Sequence, residues 1–159
     1  MIYETDLLND EQLEYINLYF NHLTFKDGRI SNPREDKRCQ TVFDGPGHVD
    51  LNNYCRDIIS QVDLPVKISA ISQIYFTKYS IGGMYGDHYD AAMCGGVKSD
   101  YSMTCFLNDG YKGGELVIDD TTHVKLQRGK AVIYPGNYIH RVNRVISGRR
   151  DVFLCWLQK

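Results

Sequence analysis

The stretch Val152-Phe153-Leu154-Cys155-Trp156-Leu157, close to the C-terminal end, predicts the architecture of the chain. Successive side chains of a β-strand point to opposite faces of the sheet. Val152, Leu154 and Trp156 would therefore share one face, and the alternate residues would share the other. Both faces are apolar, so we expect this strand to have protein packed on both sides.

A series of short strands is predicted from residue 69 onwards, separated by turns rich in glycine. The candidate strands are residues 70–79, 100–107, 114–119, 122–126, 130–134, 138–146 and 151–158. Many short strands with such turns are typical of a β-sandwich or barrel.

Two amphipathic helices are predicted before these strands. Asn9 and Gln12 have the spacing of a capping box at the start of the first helix. Asp50 is the predicted cap of the second helix, whose apolar residues recur at helical spacing over 51–62. This apolar stripe predicts packing on the outer face of one sheet. The intervening residues 25–48 are expected to be irregular or weakly extended.

The length of 159 residues predicts a single domain. We expect a mostly β fold with N-terminal helices (α+β), in which residues 1–68 form a helical support region and residues 69–159 form the core.

The composition narrows the class of protein. The net charge of −2 disfavours a nonspecific nucleic-acid binder, which usually carries a basic excess. The five cysteines are odd in number and none has CxxC spacing, which indicates free thiols in a reducing compartment. We find no secretory signal and no apolar run long enough to span a bilayer. The sequence therefore predicts a soluble, cytoplasmic protein without a membrane partner.

The segment Gly86-Asp87-His88-Tyr89-Asp90 contains the residues that indicate chemistry. On a strand, His88 and Asp90 would point to the same side. Together they would supply two of the three ligands of a 2-His-1-carboxylate site, which binds Fe(II) and leaves coordination positions open. An isolated HxD pair is more often a surface or hydrogen-bonding pair, so a third ligand from a distant strand is required.

His140 is the best candidate for that third ligand. It begins a strand after the Pro135-Gly136 turn, which would place it at the mouth of a barrel. Of the other histidines, His22 falls in the first helix and His48 in a loop, and His123 is expected to be exposed beside a hairpin turn.

Arg150 is a candidate for binding an anion. It has the same strand parity as Val152, so it would point to the inside of a barrel. A buried arginine requires an anionic partner, and the guanidinium group matches a carboxylate in bidentate fashion. Arg149 has the opposite parity and is expected to face the surface or a helix.

A set of motifs in residues 75–159 resembles the prolyl 4-hydroxylase-like Fe(II)/2-oxoglutarate dioxygenases, and in particular the bacterial PKHD-type hydroxylases. The motifs are Lys78-Tyr79, Gly82-Gly83-Met84, His88-Tyr89-Asp90, Phe106-Leu107-Asn108-Asp109, Gly113-Gly114-Glu115-Leu116, Tyr134-Pro135, His140-Arg141-Val142 and Gly148-Arg149-Arg150. The N-terminal half is similar more loosely, through Asp27-Gly28-Arg29.

The resemblance implies a double-stranded β-helix, or jelly roll. It implies that His88, Asp90 and His140 bind Fe(II) and that Arg150 binds the distal carboxylate of 2-oxoglutarate. Tyr79 would donate a hydrogen bond to the co-substrate, although an aromatic that only lines the barrel is nearly as good an interpretation. The implied cofactor and co-substrates are Fe(II), 2-oxoglutarate and O2, with L-ascorbate as reductant.

The implied activity is hydroxylation of a C–H bond with release of succinate and CO2. A protein or peptide is the expected substrate, with proline as the first candidate. The small, glycine-rich residues 90–99 are expected to form a mobile loop over the site that helps to select the substrate.

Two alternatives remain open. A nucleic-acid dealkylating oxygenase is suggested by a local basic cluster at Arg141, Arg144, Arg149 and Arg150, against which stand the overall charge and the lack of an obvious aromatic lid for base stacking. A jelly-roll binding module without turnover is the other, and the presence of Arg150 argues against it.

Overall fold

A computed structural model describes all 159 residues as two helices and a set of antiparallel strands. The helices are α1 (Asp10–Phe20) and α2 (His48–Gln61), and Gly28–Ile30 form a short 3-10 turn. The strands are β1 (Tyr3–Asp6), β2 (Lys26–Asp27), β3 (Lys37–Arg38), β4 (Gln40–Val42), β5 (Ala70–Ile71), β6 (Tyr75–Tyr79), β7 (Met84–His88), β8 (Met93–Cys94), β9 (Val97–Lys98), β10 (Tyr101–Phe106), β11 (Lys112–Gly113), β12 (Leu116–Ile118), β13 (Thr122–Val124), β14 (Lys130–Pro135), β15 (His140–Val142), β16 (Val145–Ser147) and β17 (Arg150–Gln158).

The strands form two main sheets. The larger sheet has eight strands in the order β1-β14-β10-β17-β6-β4-β2, with β5 also paired to β17. The smaller sheet has the order β13-β12-β15-β7-β3, and β11–β16 and β8–β9 form separate two-stranded ribbons. The mostly β architecture with N-terminal helices is that of a double-stranded β-helix, which confirms the predicted fold.

Strand β17 lies in the middle of the larger sheet, between β10 and β6. Phe153, Cys155 and Leu157 are fully buried in the core cluster that α1 and α2 share with this sheet. On the opposite face, Val152 belongs to a second cluster, which lies between the two sheets. Both faces of β17 are therefore covered, as the apolar pattern predicted.

The two helices cover the outer face of the larger sheet. Helix α1 begins at the predicted capping box, in which Asn9 and Gln12 bond reciprocally. Helix α2 begins earlier than predicted, because Gly47 is its N-cap with a φ of 80° and Asp50 lies within the first turn. A positive φ is readily adopted by glycine, so the backbone turns into the helix without a side-chain cap.

His48 also departs from the prediction of a loop residue. It is the first residue of α2 and is buried, and its Nε2 lies 2.7 Å from the carbonyl oxygen of Ile74. This histidine joins α2 to the sheet. His123, by contrast, is exposed on β13 as predicted.

The N-terminal region contributes strands as well as helices. Strand β1 pairs with β14, β4 pairs with β6, and β3 pairs with β7 of the smaller sheet. Residues 1–68 therefore contain both predicted helices together with four short strands, β1 to β4. These strands are only two to four residues long and depend on partners far away in sequence, so the local pattern does not reveal them.

Two further expectations concern the chain as a whole. All five cysteines are free, with three of them fully buried. Neither helix has both the length and the apolar character that crossing a lipid bilayer requires.

Candidate metal centre

A cavity of about 520 Å³ lies between the two main sheets and is lined by their inward-facing side chains. His88 at the end of β7 and His140 at the start of β15 are direct partners in the register of the smaller sheet. Asp90 follows β7 by two residues and points into the same cavity. The pairing of β7 with β15 thus brings together residues that are about fifty positions apart in the sequence.

The three predicted ligand side chains converge on one point. The Oδ1 atom of Asp90 lies 3.5 Å from Nε2 of His140 and 3.9 Å from Nε2 of His88. The three ligand atoms all lie within 4.8 Å of one another. This spacing allows one ion to contact all three.

The outer nitrogen of each histidine is held by the backbone. Nδ1 of His88 lies 2.8 Å from the carbonyl oxygen of Gly86, and Nδ1 of His140 lies 3.0 Å from that of Tyr138. Because a carbonyl oxygen only accepts, each Nδ1 must carry the proton. Each Nε2 therefore faces the centre and, once deprotonated, offers its lone pair there, which is the arrangement that orients histidine ligands in metal sites.

The outer oxygen of Asp90 is held by two side chains of the larger sheet. The hydroxyl of Ser102 donates to Oδ2 over 2.5 Å, and the indole N–H of Trp156 donates to it over 3.0 Å. Ser102 and Trp156 are themselves partners in the register of β10 and β17. Only Oδ1 is left to face the two histidines.

The electrostatics of the site favour an ionised Asp90 between two different imidazoles, a neutral His88 and a His140 that holds its proton more tightly. Burial acts to lower the pKa of His140, but the hydrogen bond to Asp90 and the charge of that carboxylate raise it. Burial alone would raise the pKa of Asp90, but the hydrogen bonds from His140, Ser102 and Trp156 lower it to about 2. Burial, together with the neighbouring His140, lowers the pKa of His88 to about 4. His88 is therefore neutral over the physiological range of pH.

The donor set fits a non-haem iron ion. Two imidazoles and one carboxylate are the ligands of the facial triad, and all three residues line the cavity. The ring of Tyr85 stacks on His88 with a centroid distance of 3.7 Å and an interplanar angle of 10°. The ring of Tyr134 lies edge-on to His140, with a centroid distance of 5.2 Å. These aromatic contacts restrict the orientation of both imidazoles.

Arg150 also lies in the cavity wall, as its strand parity predicted. Arg150 is only 1% exposed, and its Nε has no hydrogen-bond partner. The guanidinium carbon lies 5.0 Å from the ring centroid of Tyr79 and 5.4 Å from that of Phe106. Arg150 takes part in none of the ion pairs of the protein. A buried cation without an anion fits a bound carboxylate.

Neighbouring residues make room for Arg150 and hold its backbone. Gly114 has a φ of 70°, and a Cβ at that position would lie 3.2 Å from Cδ of Arg150. The side-chain amide of Asn108 donates to the carbonyl oxygen of Arg149 over 2.8 Å, and its oxygen accepts from the amide of Asp151 over 2.9 Å. Asn108 therefore holds the chain on both sides of Arg150.

Tyr79 lies opposite Arg150 in the register of β6 and β17 and lines the cavity. Burial raises the pKa of Tyr79 well above its usual value, so the phenol keeps its proton and is able to donate a hydrogen bond. Thr104 on β10 lines the same cavity. The predicted interior position of Tyr79 is thus observed.

The basic cluster considered for nucleic-acid binding does not form a basic surface. Arg150 is buried inside the cavity. Arg149 binds Asp151 over 2.7 Å, and Arg141 contacts two carboxylates, those of Asp87 and Asp120. Two of the remaining three arginines are therefore neutralised by neighbouring carboxylates. Arg149 also donates to Asn21 at the end of α1, as expected for a helix-facing charge.

The predicted mobile loop at residues 90–99 contains a short hairpin. Strands β8 and β9 pair within this segment, and the amide of Lys98 donates to the side-chain oxygen of Gln158 over 2.9 Å. Met93 and Cys94 of the hairpin line the cavity. The segment does lie beside the site, as predicted.

Several residues of the site were missing from the sequence prediction. Ser102 and Trp156 bind Asp90, and Tyr85 stacks on His88. Strand β7, which carries Tyr85, was absent from the candidate strands because its glycine and charged residues interrupt the apolar pattern. The inward parity of Trp156 was the available signal, but parity alone does not identify its hydrogen-bond partner.

Known proteins match this chain along most of its length. The profile of the 2OG-Fe(II) oxygenase superfamily matches residues 74–158. A PKHD-type hydroxylase of Aliarcobacter butzleri (strain RM4018) is 34% identical over 171 residues, an alignment that covers 96% of this chain and 76% of that protein.

Solved structures share the fold at lower sequence identity. A prolyl-4-hydroxylase of Pseudomonas putida has a TM-score of 0.72 at 17% identity, and the alignment covers 99% of this chain and 92% of that one. A prolyl hydroxylase of Trichoplax adhaerens, in complex with a peptide fragment of the hypoxia inducible factor oxygen degradation domain, has a TM-score of 0.72 at 15% identity and covers 99% and 84% of the two chains.

Proposed function

This chain belongs to the 2OG-Fe(II) oxygenase superfamily, and from that premise we propose that it hydroxylates a C–H bond of a protein or peptide. Its relatives are PKHD-type hydroxylases, and the family implies Fe(II), 2-oxoglutarate and O2 as cofactor and co-substrates. The proposal further includes L-ascorbate as the reductant that keeps the iron ferrous.

One observation carries the proposal. The Nε2 atoms of His88 and His140 and Oδ1 of Asp90 face a common point, while the other polar atom of each side chain is already bonded. This arrangement leaves one ligand atom for each side chain. Such preorganisation is expected of a metal site and is not required of a hydrogen-bonded cluster.

Five side chains of the cavity then have roles. His88, Asp90 and His140 would hold Fe(II), and Arg150 would bind the distal carboxylate of 2-oxoglutarate. Tyr79 would donate a hydrogen bond to the same co-substrate. When bound, Fe(II) and 2-oxoglutarate supply the activation of dioxygen, with decarboxylation of the co-substrate to succinate.

The residues around the cavity support a peptide substrate with a cyclic or apolar side chain. The ring of Phe43 stacks on Tyr75 at 4.8 Å, and Tyr75 meets Trp156 edge-on at 5.0 Å. Tyr75 and Trp156 line the cavity, and Trp156 also binds Asp90. An aromatic wall beside the metal ligands suits the apolar ring of proline. The related Trichoplax prolyl hydroxylase was solved with a bound peptide.

The cofactor site is tested by anaerobic titration of the Fe(II) protein with 2-oxoglutarate, following the weak visible charge-transfer band of the chelate. We expect the band in the wild type, and its loss or weakening in Asp90→Ala and Arg150→Ala. Asp87→Ala and Arg144→Ala are matched controls, because both residues lie outside the cavity lining. Both controls should retain the band.

The substrate is tested with proline-containing peptides in the presence of O2, 2-oxoglutarate and ascorbate. We expect stoichiometric succinate and a peptide mass increased by one oxygen atom, and neither product with Asp90→Ala. Absence of the chelate band in folded wild-type protein would reject the cofactor site. A normal band without oxidation of any peptide would reject only the peptide substrate.

A further inference from the structure

Lys37 is a buried cation that the proposed reaction does not use. Lys37 lies on β3 and is only 7% exposed, and it lines the same cavity as the candidate metal ligands. In the smaller sheet it is the register partner of Tyr85, which in turn pairs with Val142. The next pair along β7 and β15 is His88 with His140, so Lys37 lies one row away from the metal ligands.

The contacts of Lys37 leave its charge without an anion. Its ammonium group donates to the hydroxyl of Ser31 over 2.7 Å and lies 4.7 Å from the ring centroid of Tyr85. The adjacent carboxylate of Asp36 is bound by Arg34 over 2.6 Å. Lys37 forms no ion pair, and burial lowers its pKa.

A buried, unpaired ammonium group is costly, so its position in a ligand cavity requires an explanation. Phe25 and Lys78 provide a comparison outside the cavity, because the ammonium group of Lys78 lies 4.2 Å from the ring of Phe25. Lys78 is half-buried and does not line the cavity. Of these two lysines, only Lys37 combines the contact with a ring and a place in the cavity lining.

The charges of the loaded site indicate what Lys37 would meet. The two positive charges of Fe(II) and the one of Arg150 balance the single negative charge of Asp90 and the two of 2-oxoglutarate. Lys37 would remain as one uncompensated positive charge. A further carboxylate in the cavity would restore neutrality, because buried charges are stable only when they are paired.

We propose that Lys37 is a second cationic anchor in this cavity and that it binds a carboxylate oxygen. The inference rests on the proposed oxygenase function. The carboxylate has two sources, 2-oxoglutarate and the substrate, and the charge balance favours the substrate. In that case the substrate class is a peptide or amino-acid derivative whose carboxylate lies near the carbon to be hydroxylated.

The first measurement determines the Kd of 2-oxoglutarate from the charge-transfer band, under anaerobic conditions, in wild type, Lys37→Met and Lys37→Arg. Lys78→Met is the matched control. If 2-oxoglutarate is the source of the carboxylate, Lys37→Met raises this Kd at least about tenfold, as expected for the loss of a charge-assisted hydrogen bond. Lys37→Arg retains the charge and should remain within a few-fold of wild type.

The second measurement uses N-acetylproline and its neutral counterpart N-acetylprolinamide, added to protein saturated with Fe(II) and 2-oxoglutarate. The shift of the band gives the Kd of N-acetylproline. If the substrate is the source of the carboxylate, this Kd is at least about tenfold lower in the wild type and in Lys37→Arg than in Lys37→Met. The amide should show no such dependence on Lys37. Thermal unfolding checks that the variants are folded, and Lys37→Gln replaces Lys37→Met if methionine disturbs the fold.

The outcomes are distinct. The anchor would be overturned if Lys37→Met and the wild type had the same Kd of 2-oxoglutarate and the same response to N-acetylproline. That result would leave the oxygenase function intact. Equal effects of Lys37→Met and Lys78→Met would also overturn it, because they would indicate a general loss of positive charge. Absence of any band in the wild type would reject the oxygenase function and the anchor with it.

Discussion

Replacing Arg150 by methionine should stabilise the ligand-free protein and, at the same time, greatly weaken the binding of 2-oxoglutarate. The reason is that Arg150 is fully buried without an ion-pair partner and its Nε makes no hydrogen bond. The protein therefore maintains a desolvated charge that only a ligand would satisfy. Methionine has a similar unbranched stem and no charge.

The change in stability follows from opposing contributions. An unpaired buried charge costs several kcal/mol, even after the surroundings relax. The rings of Tyr79 and Phe106, with centroids at 5.0 and 5.4 Å, offset part of this cost, by roughly 0.5–2 kcal/mol each. The net gain in Arg150→Met is then about 2 kcal/mol. For a chain of this length that gain raises the Tm by roughly 4–8 °C.

The change in binding has the opposite sign. A bidentate guanidinium–carboxylate contact contains two charge-assisted hydrogen bonds, each worth about 1.5–3 kcal/mol. Their loss should raise the Kd of 2-oxoglutarate by about 100-fold or more. At a ligand concentration a thousand times the wild-type Kd, binding stabilises the wild type by about 4.1 kcal/mol. Most of that stabilisation should be lost in the variant.

The assay is thermal and urea unfolding of wild type and Arg150→Met, with and without Fe(II) plus 2-oxoglutarate under anaerobic conditions. The variant should unfold at the higher temperature without ligand, and the wild type at the higher temperature with ligand. Arg144→Met is the control for loss of an exposed arginine. Its unfolding temperature should stay close to that of the wild type both with and without ligand.

The reasoning would be refuted by a ligand-free variant that is clearly less stable than the wild type. That result would mean that the ring contacts and packing of Arg150 outweigh its desolvation. An unchanged increase in Tm on adding 2-oxoglutarate would refute the assignment of Arg150 to the co-substrate.

Three further predictions concern the residues that support the site. Ser102→Ala removes the 2.5 Å hydrogen bond to Asp90 and should weaken Fe(II) binding by about 10–100-fold. Competition with a chromophoric chelator measures this affinity, and an unchanged value would show that the bond does not orient Asp90. Asn108→Ala removes two hydrogen bonds beside Arg150, so it should lower the free energy of unfolding by about 1–3 kcal/mol and raise the Kd of 2-oxoglutarate. Lower stability with an unchanged Kd would limit Asn108 to a structural role. Limited proteolysis within residues 90–99 should slow when substrate and 2-oxoglutarate are both bound, and equal cleavage rates would argue against a role of this hairpin in closing the site.

Two kinds of local pattern in the sequence identified candidate residues of the site, although strand β7 was not among the predicted strands. The alternation in β17 placed Arg150 and Trp156 on the inner face, and the structure has both lining the cavity. The HxD spacing and the position of His140 after a turn identified side chains that the structure brings within one ligand set. The inward positions of Arg150 and Trp156 agree with the structure because strand parity depends only on backbone geometry.

Other features could not be predicted from local patterns. The predicted start of α2 was wrong, because the helix begins after a glycine N-cap at positive φ and not after a side-chain cap by Asp50. The short strands β1, β3 and β4 were missed because each exists only through a partner distant in sequence. The hairpin within residues 90–99 was not predicted, since strands of two residues have no recognisable periodicity.

The sequence by itself determined the residue types of the site, the inner and outer faces of the central strand, and the order of helices before strands. Only the tertiary structure decided that Oδ2 of Asp90 is held by Ser102 and Trp156, and that Lys37 faces the cavity without an anion. The physical reason is that parity and helical period are properties of neighbouring residues along one chain. Hydrogen-bond partners and unpaired charges depend on which strands meet across two sheets, and that is settled by the packing of the whole core.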